Sequence, residues 1–262
     1  MRKTRDNQTG TINLLTGIYK ADQTMTRRLE KLAARLGLPI LDKIPCRGSV
    51  LMVAGNGLSL MSKKDRGTPM QVRVDFTDRD WQRRLHCVRG EQLIKAMGRT
   101  AAKDTAIIDA TGGLGRDGFL LAAAGYRVVM IEKNPVLAAL VEDGLFRAAD
   151  NDRIREICSR ITFHFGDARL YMQQKKPDVE IVYLDPMFPE QKKTAKVKKE
   201  LQMIRYLAGG SDNMAGLFHT ALETASRRVV VKRPQPGPWL ANLSPSYSVD
   251  GKTIRFDIYL RP

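Results

Sequence analysis

From about residue 104 onward the sequence repeats one pattern: a short apolar run, a turn, then a helical stretch. Ala106-Ile107-Ile108 ends at Asp109, a helix over about 117–124 stops at Gly125, and 127–131 makes the next apolar run. Pro135 opens a helix reaching about Ala149, because its missing N–H is one that a first helical turn leaves unpaired anyway. Further strands fall at 161–165, 179–184 and 229–231. Apolar strands alternating with helices need crossover connections, which predicts a doubly wound, mostly parallel, Rossmann-like α/β sheet. Near the end, 246–249 and 254–260 flank Asp250-Gly251, which reads as a two-residue turn and predicts an antiparallel hairpin closing that sheet.

The first hundred residues read differently. Residues 1–23 are polar and Thr-rich, a loose lead-in. Met25, Leu29, Leu32, Ala33 and Leu36 recur at helical spacing over 24–36, with Gly37 and Pro39 closing the segment. Strands are expected at 50–54 and 71–76, where Val72, Val74 and Phe76 alternate with Gln71, Arg73 and Asp75, and a helix at 90–97. The expected organisation is a small α/β domain over 1–100 and a catalytic domain over 101–262.

Charge separates the two. The chain carries 44 Lys+Arg against 28 Asp+Glu, net +16, and residues 1–100 hold 20 basic and 9 acidic side chains of these. Solubility alone calls for a net charge of roughly 2–8 on a small domain, so the excess points to a polyanionic partner, nucleic acid. For residues 1–70 charge is the sole guide to a role. No apolar run approaches the roughly 20 residues of a membrane span, and no basic amphipathic helix with an aromatic apolar face argues for a membrane surface. Cys46, Cys87 and Cys158 fit neither a disulfide framework nor a zinc spacing. With no apolar leader after Met1, the expectation is a cytoplasmic protein with reduced thiols and no metal.

Asp109-Ala110-Thr111-Gly112-Gly113-Leu114-Gly115-Arg116-Asp117 joins the first strand of the repeat to a helix. Glycines let a ligand approach the backbone, and the helix start offers unpaired N–H groups to a phosphate or carboxylate. Residues 113–118 spell G-x-G-x-x-G and Glu132 follows at a strand end, which leaves both NAD and S-adenosylmethionine open. Asp109 bears on the choice. It would repel a pyrophosphate, whereas it can accept a hydrogen bond from the methionine ammonium. On that reading Arg116 meets the methionine carboxylate and Asp117 the ammonium side. Glu132 takes the ribose hydroxyls, Lys133 lines the adenosine, and Asp167 accepts from the adenine amine next to Ala168.

Val182-Tyr183-Leu184-Asp185-Pro186-Met187-Phe188-Pro189 ends an apolar strand in an acid, a rigid turn and an aromatic. An exocyclic base amine is a poor nucleophile because its lone pair is delocalised into the ring. Asp185 and the Pro186 carbonyl can each accept an N–H bond, orienting the amine, while Phe188 stacks on the base. Such a loop suits any exocyclic amine, guanine N2 or adenine N6.

Together with Val197-Lys198-Lys199-Glu200, Val229-Val230-Val231-Lys232-Arg233-Pro234 and Arg255-Phe256-Asp257-Ile258-Tyr259, these motifs resemble the RsmJ-type small-subunit rRNA guanine-N2 methyltransferases. Weaker likeness at Val74-Asp75-Phe76 and Arg89-Gly90-Glu91 extends it back to about residue 72. The resemblance implies a class I methyltransferase fold and methyl transfer from S-adenosylmethionine to N2 of a guanosine in the 3′-terminal hairpin loop of 16S rRNA, alone or in the small subunit. It also implies cofactor contacts at Arg116, Asp117, Glu132, Lys133, Asp167, Ala168 and Asp185, joined by Asp109 and Gly112 from the turn itself. Gly113 stands where the family pattern has Ala.

Lys192, Lys193, Lys196, Lys198 and Lys199 follow the base-side motif directly, and Lys232 and Arg233 end the fifth strand on the same sheet edge; all seven are candidate RNA contacts. The competing readings are an adenine-N6 methyltransferase on RNA or DNA, an NAD-dependent oxidoreductase, and a non-catalytic RNA-binding factor. Oligomeric state has no signature in the sequence.

Overall fold

The computed structural model describes residues 15–21, 26–63, 69–98, 104–186 and 213–261 of the 262. These divide into two compact units. One holds the described residues up to Asp75 with Asn134–Arg147; the other holds Phe76–Lys133 and the described parts of Ala148–Phe188 and Ser211–Pro262.

In the first unit β1 (Leu15–Lys20), β2 (Ile40–Leu41), β3 (Gly48–Ala54), β4 (Gly57–Lys63) and β5 (Met70–Val72) form a sheet in the order β2-β1-β3-β4-β5. β1 runs parallel to β2 and β3, and β4 runs antiparallel to β3 and β5. β1 corrects the reading of residues 1–23 as a loose lead-in. Its buried Leu15 and Ile18 are too few to register as a periodicity, and the strand exists because it has partners on both edges. β4 was also unforeseen, although Gly55-Asn56 between paired Ala54 and Gly57 is a two-residue hairpin signal. The expected strand 71–76 stops at Val72, with Val74 and Phe76 buried beyond it. The helix Pro135–Ala149 carries buried Asp143, whose carboxylate accepts from the Leu58 N–H at 2.9 Å and from Arg147 Nε at 2.8 Å. Removing Arg147 would take away the countercharge of the buried Asp143 carboxylate, a destabilising change.

The second unit is a seven-stranded sheet of β6 (Ala106–Asp109), β7 (Arg127–Glu132), β8 (Ile161–Phe165), β9 (Val179–Leu184), β10 (Ala225–Pro234), β11 (Tyr247–Asp250) and β12 (Ile254–Leu260), ordered β11-β12-β10-β9-β6-β7-β8. The five strands from β10 to β8 are parallel, and β12 pairs antiparallel with both β10 and β11. The inner strands are apolar runs buried on both faces: Ile107-Ile108, Ile181 to Leu184 and Val229 to Val231. Helices at Arg116–Ala123, Ala168–Lys175 and Met214–Thr224 serve as crossovers. The expected helix 90–97 is a 3₁₀ turn at Val88–Gly90 followed by Gln92–Met97. The closing hairpin turns through Gly251, Lys252 and Thr253 rather than through Asp250-Gly251, because Asp250 stays paired with Arg255. Among the described residues no helix is long and apolar enough to cross a membrane, and no group of three His, Cys, Asp or Glu could hold a metal.

Candidate active site

The chain runs from β6 to β7 and β8 on one side, then returns to β9 and β10 on the other. Strand order therefore reverses between β6 and β9, opening a crevice beyond their carboxyl ends. The two loops leaving that point are tied together. The Ala110 N–H donates to the Tyr183 carbonyl at 3.0 Å, and the Asp185 N–H donates to Thr111 Oγ1 at 2.6 Å.

The glycine turn is shaped by its neighbours. The Gly112 N–H donates to the Ile131 carbonyl at 2.8 Å, and the Gly113 N–H donates to Glu132 Oε2 at 2.6 Å. Gly113 and Gly115 have φ of +56° and +74°, left-handed values that a side chain disfavours. A Cβ on Gly118 would lie 2.5 Å from Met130 Cε and 2.9 Å from Asp109 Oδ2, so that glycine lets the helix Arg116–Ala123 close onto the sheet. Sequence spacing alone located this turn correctly between a strand and a helix.

Opposite it, Lys232 reaches across the sheet edge. Its Nζ donates to Asp117 Oδ2 and to Asp185 Oδ2, both at 2.8 Å, and the Tyr183 hydroxyl donates to the same Asp117 oxygen at 2.7 Å. The register that pairs Val231 with Leu184 sets Lys232 beside Asp185. Burial pushes the Asp117 carboxyl up, but the Lys232 ammonium and the Tyr183 hydroxyl outweigh it and hold the group below the usual range. Burial raises Asp185 to about 6, with Lys232 pulling down and Asp117 pushing up. Burial lowers the tendency of Lys232 to hold its proton, yet the two carboxylates more than reverse this and keep it charged. Asp109, 1% exposed, is raised to about 8 by burial first and then by the charges of Asp117, Asp185 and Glu132.

Arg116 opens its helix and is exposed; Lys133 is half-buried; Ala168 and Pro186 are buried. Asp167 is exposed and caps the helix Ala168–Lys175, its Oδ1 accepting from the Leu170 N–H at 3.0 Å. Lys232 and Arg233 differ from a pair of phosphate-facing cations. The Lys232 ammonium is held between two carboxylates, and Arg233, 4% exposed, donates from its guanidinium to the Pro238 carbonyl. Phe188 and the five lysines from Lys192 to Lys199 lie outside the described residues. The sequence reading missed Thr111 and Tyr183 as organisers of the site. A phenol inside an otherwise apolar strand was the available signal, since a buried hydroxyl needs a partner.

Four carboxylates, Asp109, Asp117, Glu132 and Asp185, thus converge on the crevice with the Lys232 ammonium between two of them. That set of acceptors fits a ligand bearing positive charge, such as a sulfonium and an ammonium, and opposes a pyrophosphate.

The comparisons agree. The family model for SAM-dependent methyltransferases matches residues 31–261. Ribosomal RNA small subunit methyltransferase J of Neisseria meningitidis serogroup C is 41% identical over 244 residues, covering 91% of this chain and 95% of that protein. The protein of the same name from Thioalkalivibrio sulfidiphilus is 38% identical over 246 residues, covering 93% and 96%. The crystal structure of a SAM-dependent methyltransferase from Neisseria gonorrhoeae superposes with a TM-score of 0.69 at 36% identity, covering 93% of this chain and 95% of that one. The charge of the crevice, the strand order around it and these likenesses converge: the chain belongs to the ribosomal RNA small subunit methyltransferase J family of SAM-dependent methyltransferases.

Proposed function

We propose that this protein methylates the exocyclic N2 of a guanosine in the 3′-terminal hairpin loop of 16S rRNA, acting in the cytoplasm on the rRNA or the small subunit. The observation that carries the reading is the Lys232-braced Asp185 at the strand switch point, 2.8 Å from Lys232 Nζ, in a chain whose relatives are named for small-subunit rRNA. S-adenosylmethionine, when bound, supplies an electrophilic methyl group on a sulfonium. Asp109 and Asp117 suit its ammonium, Gly112 and Arg116 its carboxylate, and Glu132 its ribose hydroxyls. Lys133, Asp167 and Ala168 suit the adenosine.

The base side follows from Asp185. One carboxylate oxygen is held by Lys232, which orients the group so that its other oxygen can accept an N–H of the amine. Accepting that hydrogen bond draws the nitrogen lone pair out of the ring towards the methyl carbon, whose bond to sulfur would break as the N–C bond forms, the electron pair returning to sulfur as a neutral thioether. A carboxyl near 6 is ionised at neutral pH and basic enough to take the proton that the methylated amine sheds. Pro186 stiffens the turn and offers a carbonyl, Phe188 stacks on the base, and Lys192, Lys193, Lys196, Lys198 and Lys199 contact phosphates. Incubating the protein with unmethylated 16S rRNA or small subunits and isotopically labelled S-adenosylmethionine, then mapping the label, tests this. Label on guanine N2 in that loop is the expected result, and label on adenine N6 or on none of the RNA overturns it.

A further inference from the structure

The helix Arg79–His86 has two unlike faces. Trp81 is buried, its ring edge-on to Phe119 at 5.0 Å and tilted against Phe76 at 5.9 Å. Arg84 lies over the Trp81 ring at 5.2 Å and donates to Glu91 at 2.9 Å. Phe119 belongs to the helix that starts at the glycine turn, and the Arg84 charge reaches Asp117, so this helix borders the ligand edge of the sheet. Arg79, Arg83 and His86 recur at i, i+4 and i+7, share the other face and are exposed, with exposed Arg89 just beyond.

Helix electrostatics explains only part of this. Basic side chains in the last turn complement the helix dipole, which accounts for Arg83, Arg84 and His86. Arg79 occupies the first turn, where a cation is disfavoured. A cationic stripe along the exposed face of a helix that borders the ligand edge matches a phosphate backbone. We infer that Arg79, Arg83 and Arg89 contact phosphates of the RNA strand flanking the base that enters the site. This rests on the rRNA reading above.

The test measures affinity for the 3′-terminal hairpin of 16S rRNA at several salt concentrations. Each phosphate contact contributes about 0.7 to the log–log slope for a single-stranded target, so Arg79→Gln/Arg83→Gln/Arg89→Gln should lower it by roughly 2. Arg153→Gln/Arg155→Gln removes exposed charge ahead of the amino end of β8, at the opposite edge of the sheet, and should leave the slope unchanged. Arg79→Gln alone, lowering the slope by about 0.7, serves if the triple variant does not fold, as judged by S-adenosylmethionine binding. An unchanged slope in the helix variants overturns the inference, and so does an equal fall in the control. If the wild type neither binds nor methylates the RNA, the rRNA reading fails first and takes the inference with it.

Discussion

Replacing Lys232 with Met removes the ammonium that lies 2.8 Å from an oxygen of both Asp117 and Asp185, while keeping an unbranched stem. An opposite charge this close typically lowers a carboxyl by about 1–3 units. Asp185 stands at about 6 with Lys232 in place, so without it the group should titrate at about 7–9. If transfer needs the ionised carboxylate, kcat/KM for RNA methylation rises through pH 6 in the wild type and only one to three units later in Lys232→Met. For a two-unit displacement the variant should be about tenfold slower at pH 7 and recover in alkaline solution. Stability should follow the same logic. Asp117 is held low in the folded state, so its contribution is present above the ordinary carboxylate range and lost as pH falls through its folded value. The stability gap between wild type and variant, about 1.5–3 kcal/mol for a charged hydrogen bond lost at Asp117, should therefore be present at pH 7 and close only as pH falls below the ordinary carboxylate range. A folded Lys232→Met protein whose acid limb stays at the wild-type position would refute the bracing role.

Three further outcomes follow from the same geometry. Asp185→Asn should fold and bind S-adenosylmethionine but lose about 10²–10³ in kcat, since an amide N–H would face the amine, and wild-type turnover would remove Asp185 from the mechanism. Glu132→Ala should weaken cofactor affinity by about 1.5–3 kcal/mol and slacken the Gly113 turn while RNA affinity holds, and calorimetry finding no loss would contradict the ribose assignment. Asp109, raised to about 8, makes the ligand-free protein less stable as pH climbs from the ordinary carboxylate range towards 8. A cationic ligand favours its ionised form, so binding S-adenosylmethionine at pH 7 should release protons and tighten as pH rises. Calorimetry in buffers of different ionisation heat measures that release, and zero protons would count against the Asp109 contact.

Segments whose burial shows in their own composition could be read one at a time. The apolar runs ending at Asp109, Glu132 and Leu184 became β6, β7 and β9, and Pro135 opened its helix, because a buried strand or helix start carries its own signature. The glycine turn and the Asp185-Pro186 turn were legible for the same local reason. Partnership was not. β1 is a strand only because β2 and β3 flank it, and Asp167 spends an oxygen on a helix cap that no spacing rule distinguishes from a ligand contact. Lys232 is the sharpest case. In the sequence it belongs to a basic doublet at a strand end, the pattern of a phosphate contact. Folding sets β10 beside β9 and brings its ammonium to Asp185, 47 residues away, and to Asp117, 115 residues away. Local pattern reports whether a residue is buried or exposed, whereas the charge that faces it across a sheet edge is decided by strand order and register, which exist only in the assembled tertiary structure.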